Sequence, residues 1–319
     1  MTYEQLLEFS RQHGNPSAVP KPREKRVKEA IHSKAWFDYE GAPPPPLIDI
    51  GINFIDPTFN RDRGDVLERA RKAGVKAIIL TGCDLRSSYD AMKLTERFPD
   101  YPLYFSAGVH PHRAKDADDL TLLKLGELAR HECCVAIGEC GLDFKRNYSP
   151  PDVQEHWFQL QIGLACELQK PLFMHCREAG ERVAAILAQQ PLRAPGVIHC
   201  FTGKPAELQA FLDMGLYIGI TGWICDDRPA RGAAALAEML QQIPDDKLML
   251  ETDAPYLTPR TIKPSRIRPK RNEPCLLPHV LKQVATALGE PMEQVAQRTT
   301  ANAMRVFGIQ LDEPTQTLV

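Results

Sequence analysis

The chain has 319 residues, 43% of them hydrophobic and 25% charged, with a formal net charge of -2. That length carries one large barrel or two smaller domains. The near-zero charge excludes a globally basic nucleic-acid coat but leaves room for a local basic patch. Nine cysteines are scattered without a C-x-x-C pair, several inside apolar runs, so they read as reduced thiols of a cytoplasmic protein. No stretch approaches the roughly 20 apolar residues of a membrane span, and MTYEQLLEFSRQHG lacks the three-part pattern of a secretory signal.

Residues 1–46 read as an N-terminal extension. Leu6, Leu7 and Phe9 suit a short amphipathic helix, Lys21, Arg23, Lys25, Arg26 and Lys28 form a basic run, and Pro43 to Pro46 make a stiff spacer. The basic run is read first as a solvated helix face, with a nucleic-acid arm as the alternative.

From residue 47 onward, short apolar runs alternate with helical patterns. The runs are LIDIGIN (47–53), VKAIILT (75–81), LYFSAGV (103–109), CVAIGE (134–139), PLFMH (171–175), GVIHC (196–200), LYIGIT (216–221) and KLMLETD (247–253). They lack polar alternation, as strands covered on both faces do. Between them, residues 62–73, 85–98, 152–169 and 178–189 carry helical spacing, and Pro205 is placed to open another helix. The fold expected for 47–310 is an α/β (β/α)8 TIM barrel, with 311–319 as a tail. An open doubly wound sheet is the alternative, but no G-x-G-x-x-G follows the first run.

Barrel enzymes carry their chemistry where strands end. Glu139 ends the fourth run, His175 the fifth, His199 lies near the end of the sixth and Asp253 closes the eighth. Two imidazoles and two carboxylates at one mouth suit a divalent cation with open positions for water. A single buried His is more often a hydrogen-bonded core residue, and a single Asp a helix cap; four at one pole make a site. His110, in His110-Pro111-His112, points to substrate contact or proton transfer, or else to a helix-capping role. Arg177 could hold a phosphate bidentately or form a surface salt bridge. The stretch TPRTIKPSRIRPKRNEP (258–274) is basic at 260, 263, 266, 268, 270 and 271, and would border the mouth with charge for a polyanion. A merely solvated loop is its simpler reading.

At these residues the sequence resembles the TatD family of metal-dependent deoxyribonucleases, over Leu47 to about Gly308. The resemblance rests on DIGIN (49–53), AGVHPH (107–112), AIGECGLDF (136–144), FMHCRE (173–178), HCFTG (199–203), YIGITGW (217–223), ETDAPYL (251–257) and RNEP (271–274), in the family's order. It implies a metal-dependent hydrolase, a 3′→5′ exonuclease acting on single-stranded DNA or RNA, with Mg2+ as cofactor, Mn2+ next and Zn2+ disfavoured. It also suggests a role in DNA repair or nucleic-acid turnover. Glu139, His175, His199 and Asp253 fall on the family's metal positions. Asp253, Glu139 and His110 are the expected catalytic residues, and His110, His112, Arg177, Asn53 and Arg271 the expected substrate-binding ones.

Many members of that family open the first strand with an H-x-H pair. Here those positions are Gly51 and Asn53, as in the subgroup that includes TatD proper. Gly51 cannot ligate by its side chain and Asn53 offers a neutral amide oxygen, so a second cation position is incomplete. Asp49 is expected to orient Asn53 or a water, or to make a buried strand-end hydrogen bond. Two other functions compete: a metal hydrolase of another substrate such as aminoacyl-tRNA, and a non-catalytic nucleic-acid-binding scaffold.

Overall fold

In the computed structural model, which describes residues 33–228 and 232–311, the eight apolar runs are eight strands. They are β1 (Leu47–Ile52), β2 (Val75–Leu80), β3 (Leu103–Ala107), β4 (Cys134–Asp143), β5 (Leu172–Arg177), β6 (Gly196–His199), β7 (Tyr217–Ile220) and β8 (Leu248–Leu250). Each pairs in parallel with its sequence neighbour, in the order β1 to β8. The ring closes just past β8, where Asp253 N donates to Gly51 O at 2.9 Å and Asn53 N to Ala254 O at 2.7 Å. The fold is a (β/α)8 TIM barrel.

Helices α1 (Arg63–Lys72), α2 (Leu85–Arg97), α3 (Asp119–Leu128), α4 (Pro151–Leu168), α5 (Gly180–Gln189), α6 (Pro205–Asp213), α7 (Ala233–Leu240), α8 (Leu277–Leu288) and α9 (Met292–Phe307) complete the described residues. Their ends follow local chemistry. Asp84 caps α2 by accepting from Ser87 N at 2.7 Å, and Pro205 opens α6 as a first-turn proline should.

Strand alternation divides the core in two. Ile48, Ile50, Ala77, Ile79, Phe173, Val197 and Met249 fill the barrel interior, and Val306 and Phe307 of α9 pack onto this layer. Ile78, Leu80, Leu172, Met174, Ile198 and Leu250 face the helices instead. His175 follows Phe173 by two residues and His199 follows Val197 by two. The period of a strand therefore turns both imidazoles inward at the carboxyl ends.

β4 runs four residues beyond the apolar run that announces it. After a register shift, Cys140, Gly141, Leu142 and Asp143 pair with Met174, His175, Cys176 and Arg177 of β5. Glycine at 141 makes this possible: its φ is +123°, and a Cβ there would lie 2.1 Å from His175 O. The extension delivers Asp143 to the mouth.

Residues 33–46, within the expected extension, lie against the barrel. Tyr39 Oη donates to Ala73 O at 2.9 Å, His279 Nε2 meets Ala35 O at 2.9 Å, and Thr300 Oγ1 donates to Pro46 O at 2.9 Å. The proposed helix at Leu6–Phe9, the basic run at 21–28 and residues 312–319 of the tail lie outside the described residues. Among the described residues, no helix is long and apolar enough to cross a membrane.

The 258–274 stretch is tied down by ion pairs. Arg260 Nε lies 2.8 Å and Lys263 Nζ 2.5 Å from Asp227 carboxylate oxygens. Arg271, expected to contact substrate, turns inward: it meets Asp62 Oδ2 at 2.6 Å and Glu273 Oε1 at 2.5 Å and lies over the Phe59 ring. Glu273 also receives Arg69 Nε at 2.8 Å. The two carboxylates and the ring occupy the Arg271 guanidinium, which has a structural task. Truncating one member of a buried pair leaves an uncompensated charge and costs about 3 kcal/mol or more. Arg271→Ala is therefore expected to lower the urea midpoint with its slope unchanged, and Arg271→Lys to recover only part, because lysine cannot reproduce the planar fork.

Candidate active site

Glu139 is the hub of the mouth. Its Oε1 lies 3.1 Å from His175 Nδ1, 3.4 Å from His110 Nε2 and 3.9 Å from His199 Nε2. Asp253 Oδ1 lies 3.7 Å from His199 Nε2 and accepts from Asn53 Nδ2 at 2.9 Å. The four residues picked out by strand position thus converge, and His110 and Asn53 join them. Asp253 sits at φ +54° and Cys200 at φ +48°, both in the left-handed region where the chain leaves a strand.

A second row of side chains fixes the first. Asp143, buried, accepts from His112 Nε2 at 2.7 Å and lies 3.2 Å from His175 Nε2. Glu251, also buried, lies 2.5 Å from His199 Nδ1 and accepts from Cys200 N at 2.6 Å. His110 makes the capping bond expected as one of its two alternatives. Its Nδ1 accepts from His112 N at 3.1 Å, capping the turn at 111–116, which leaves Nε2 to carry the proton that faces Glu139.

Asp49 makes the strand-end bond. It accepts from Thr252 N at 2.9 Å and Thr252 Oγ1 at 2.6 Å, tying β1 to the segment after β8. Cys83 Sγ lies 3.7 Å from both Asn53 Oδ1 and Glu139 Oε2. Arg177 ends β5 beside Asp143, and its side chain makes no ion pair among the described residues.

Gly51 explains the missing first-strand imidazole. A Cβ built there would stand 2.6 Å from Glu251 Oε2 and 3.1 Å from His199 Nδ1. The Glu251 carboxylate fills the space, so no larger side chain fits without displacing the group that orients His199.

Electrostatics follow from burial. It pushes His110 down to about 4 despite Glu139. It also opposes charge on His199, but Glu251, Glu139 and Asp253 outweigh it and raise that imidazole to about 10. His175 is raised in the same way, with Asp143 and Glu139 overcoming burial. Burial raises Asp253 to about 7, the charges of Glu139 and Glu251 adding to it and that of His199 opposing. Burial also works against a charged Glu139, yet its imidazole neighbours hold it well below the usual carboxylate range.

The donor set fits a divalent cation. Asp49, Glu139, Asp143 and Glu251 are buried, and among the described residues no Lys or Arg ion pair reaches them or Asp253. Two groups have ligand atoms close enough to share an ion: His110, His112 and His175; and His199, Cys200 and Asp253. Negative charge buried without permanent cations calls for protons or a metal.

The family model described as TatD related DNase matches residues 48–308. The chain belongs to this family of nucleases. A relative from Pantoea ananatis, named 3'-5' ssDNA/RNA exonuclease TatD, is 50% identical over 264 residues, covering 82% of this chain and 100% of the relative. A relative of the same name from Erwinia tasmaniensis is 47% identical over 264 residues, with the same two shares. The solved structure of YJJV, a TatD homolog from Escherichia coli K12, superposes with a TM-score of 0.74 at 28% identity, covering 83% of this chain and 98% of that one.

Within this TatD-family mouth, Glu139, His175 and Asp253 end apolar runs of the sequence and His199 lies near the end of one, whereas Asp143 and Glu251 end none. Both lie in quoted blocks, AIGECGLDF and ETDAPYL. Asp143 was hidden because the apolar run stops at Glu139, and Glu251 because it reads as part of the strand. Partners that orient an imidazole typically contribute about 10–100-fold to affinity or activity. Glu251→Gln is expected to cost turnover in that range while the circular dichroism spectrum is kept. Gly51→Ala, which pushes the same carboxylate away, should fall at least as far; wild-type activity in both variants would show that His199 does not need Glu251.

Proposed function

We propose that this chain is a metal-dependent exonuclease that hydrolyses phosphodiester bonds from the 3′ end of single-stranded DNA, with RNA as a second polymer, in nucleic-acid repair or turnover in the cytoplasm. The observation that carries the reading is the cluster of buried carboxylates and imidazoles around Glu139, together with the exonuclease names of relatives about half identical to the chain. Mg2+ is the cofactor we favour. Gly51 and Asn53 supply no imidazole, and oxygen donors suit Mg2+ or Mn2+ better than Zn2+.

In this reading Glu139, His175, His199 and Asp253 hold the ion. When bound, a divalent cation supplies Lewis acidity toward the phosphoryl oxygen and the attacking water. Asp253 accepts the proton of that water as it attacks phosphorus, and Asn53 Nδ2, 2.9 Å from Asp253 Oδ1, holds the carboxylate in line. His110, with Nδ1 engaged as an acceptor, donates its Nε2 proton toward the phosphate. His112 and Arg177 orient the polymer near the reacting bond. Arg271 holds the loop after β8 in place from behind.

Asp253→Asn removes the proton acceptor while preserving the side-chain volume, and should lower kcat by about 10²–10⁴-fold with the thermal midpoint kept. A fully active variant would reject the assignment. A 5′-labelled single strand should shorten from its 3′ end with Mg2+ or Mn2+, less with Zn2+, and remain intact in chelator. Hydrolysis of aminoacyl-tRNA alone would overturn the substrate class.

A further inference from the structure

Two aromatic rings stand open at the mouth. Tyr148 is 54% exposed and Tyr256 55%, while the large aromatic side chains of the core are fully covered. Each sits on a loop that leaves a strand bearing site residues. Tyr148 follows Asp143 at the end of β4, and its ring lies edge-on to His112 with centroids 4.8 Å apart. Tyr256 follows Asp253, and its N donates to Asp253 O at 3.0 Å. Its carbonyl accepts from Asn272 Nδ2 at 2.6 Å, so its backbone is held from both sides.

The two loops face the same opening. Tyr148 lies against His112, whose ring centroid is 6.0 Å from that of His175, and Tyr256 adjoins Asp253, whose Oδ1 is 3.7 Å from His199 Nε2, so both rings flank the cluster around Glu139. Neither hydroxyl is hydrogen-bonded among the described residues. The rings are set among charged and polar groups, His112, Arg146 and Asp253, and do not join into an apolar patch of the kind that docks a protein.

We propose that Tyr148 and Tyr256 form a stacking subsite for unpaired nucleobases beside the scissile bond. The inference rests on the exonuclease reading above and deepens it. Every base offers a π-face, so stacking tolerates any sequence. In a duplex only the outer face of the last pair is open, so two rings at the mouth can be filled together only by bases that have left the stack, which favours single-stranded ends. The subsite would give the protein a preference for strand state without any base-edge contact.

The test uses the full chain and two 5′-fluorescein oligonucleotides of equal length, one normal and one whose three 3′-terminal nucleotides are abasic. Binding is read by anisotropy in chelator, and shortening by gel with Mg2+. Wild type should bind the abasic strand about tenfold more weakly. Tyr148→Leu and Tyr256→Leu should each weaken binding of the normal strand several-fold, and Tyr→Phe at either position should retain it. In the double leucine variant, base removal should change binding less than about twofold. Leucine variants that bind like wild type, or a double variant that still loses tenfold on base removal, would overturn the proposal. Failure of the exonuclease reading is separate: no 3′ shortening by wild type in any metal, whatever the binding pattern.

Discussion

Buried carboxylates that meet imidazoles, and among the described residues no Lys or Arg ion pair, govern the mouth of this barrel. Asp49, Glu139, Asp143 and Glu251 are removed from solvent, with Asp253 beside them. Each such carboxylate costs several kcal/mol unless a positive partner compensates. The chain offers titratable histidines in place of permanently charged arginines, so the balance can pass between protons and a cation. Arginine ion pairs lie elsewhere, among them the Arg69–Asp62–Arg271–Glu273 cluster behind the loop after β8.

The same constraint decides what β1 can contribute. Glu251 must reach His199 Nδ1 to hold that ring with Nε2 toward Glu139 and Asp253, and the path lies over Gly51. Side-chain volume on β1 and orientation of an imidazole on β6 are therefore alternatives for one space. Asn53, two residues on, points into the mouth and meets Asp253, so β1 participates through an amide. An amide adds no charge to a site already rich in carboxylates.

The barrel was legible because parallel strands buried on both faces leave unbroken Ile, Val and Leu runs, and because a first-turn proline such as Pro205 marks a helix start. The inner site residues were legible because they end those runs. Three features were not. The reach of β4 to Asp143 depends on Gly141 approaching His175 O, a contact between strands that no local pattern announces. Glu251 is a buried carboxylate inside an apolar strand ending, and only its distance to His199 distinguishes it from a solvated edge. Arg271, which the family resemblance places among the substrate-binding residues, is engaged by Asp62 and Glu273, partners on different elements, one far away in sequence.

That last difference bears on how a polyanion would be held. Asp227 is shared by Arg260 and Lys263, and Asp62 and Glu273 take Arg271, so the loop presents less unpaired positive charge than its composition suggests. What field remains is screened within about 10 Å at 0.1 M salt. From this loop, long-range attraction therefore contributes little, and contacts made at the mouth itself carry more of the binding. Short-range groups are what that mouth offers: Arg177 at the end of β5, without an ion pair among the described residues, imidazole nitrogens that face Glu139, and open rings on the flanking loops. Under the exonuclease reading, the polymer is therefore recognised through its terminal nucleotides more than through a long phosphate track. A site that measures only the end of a strand suits an enzyme that removes one terminal unit at a time.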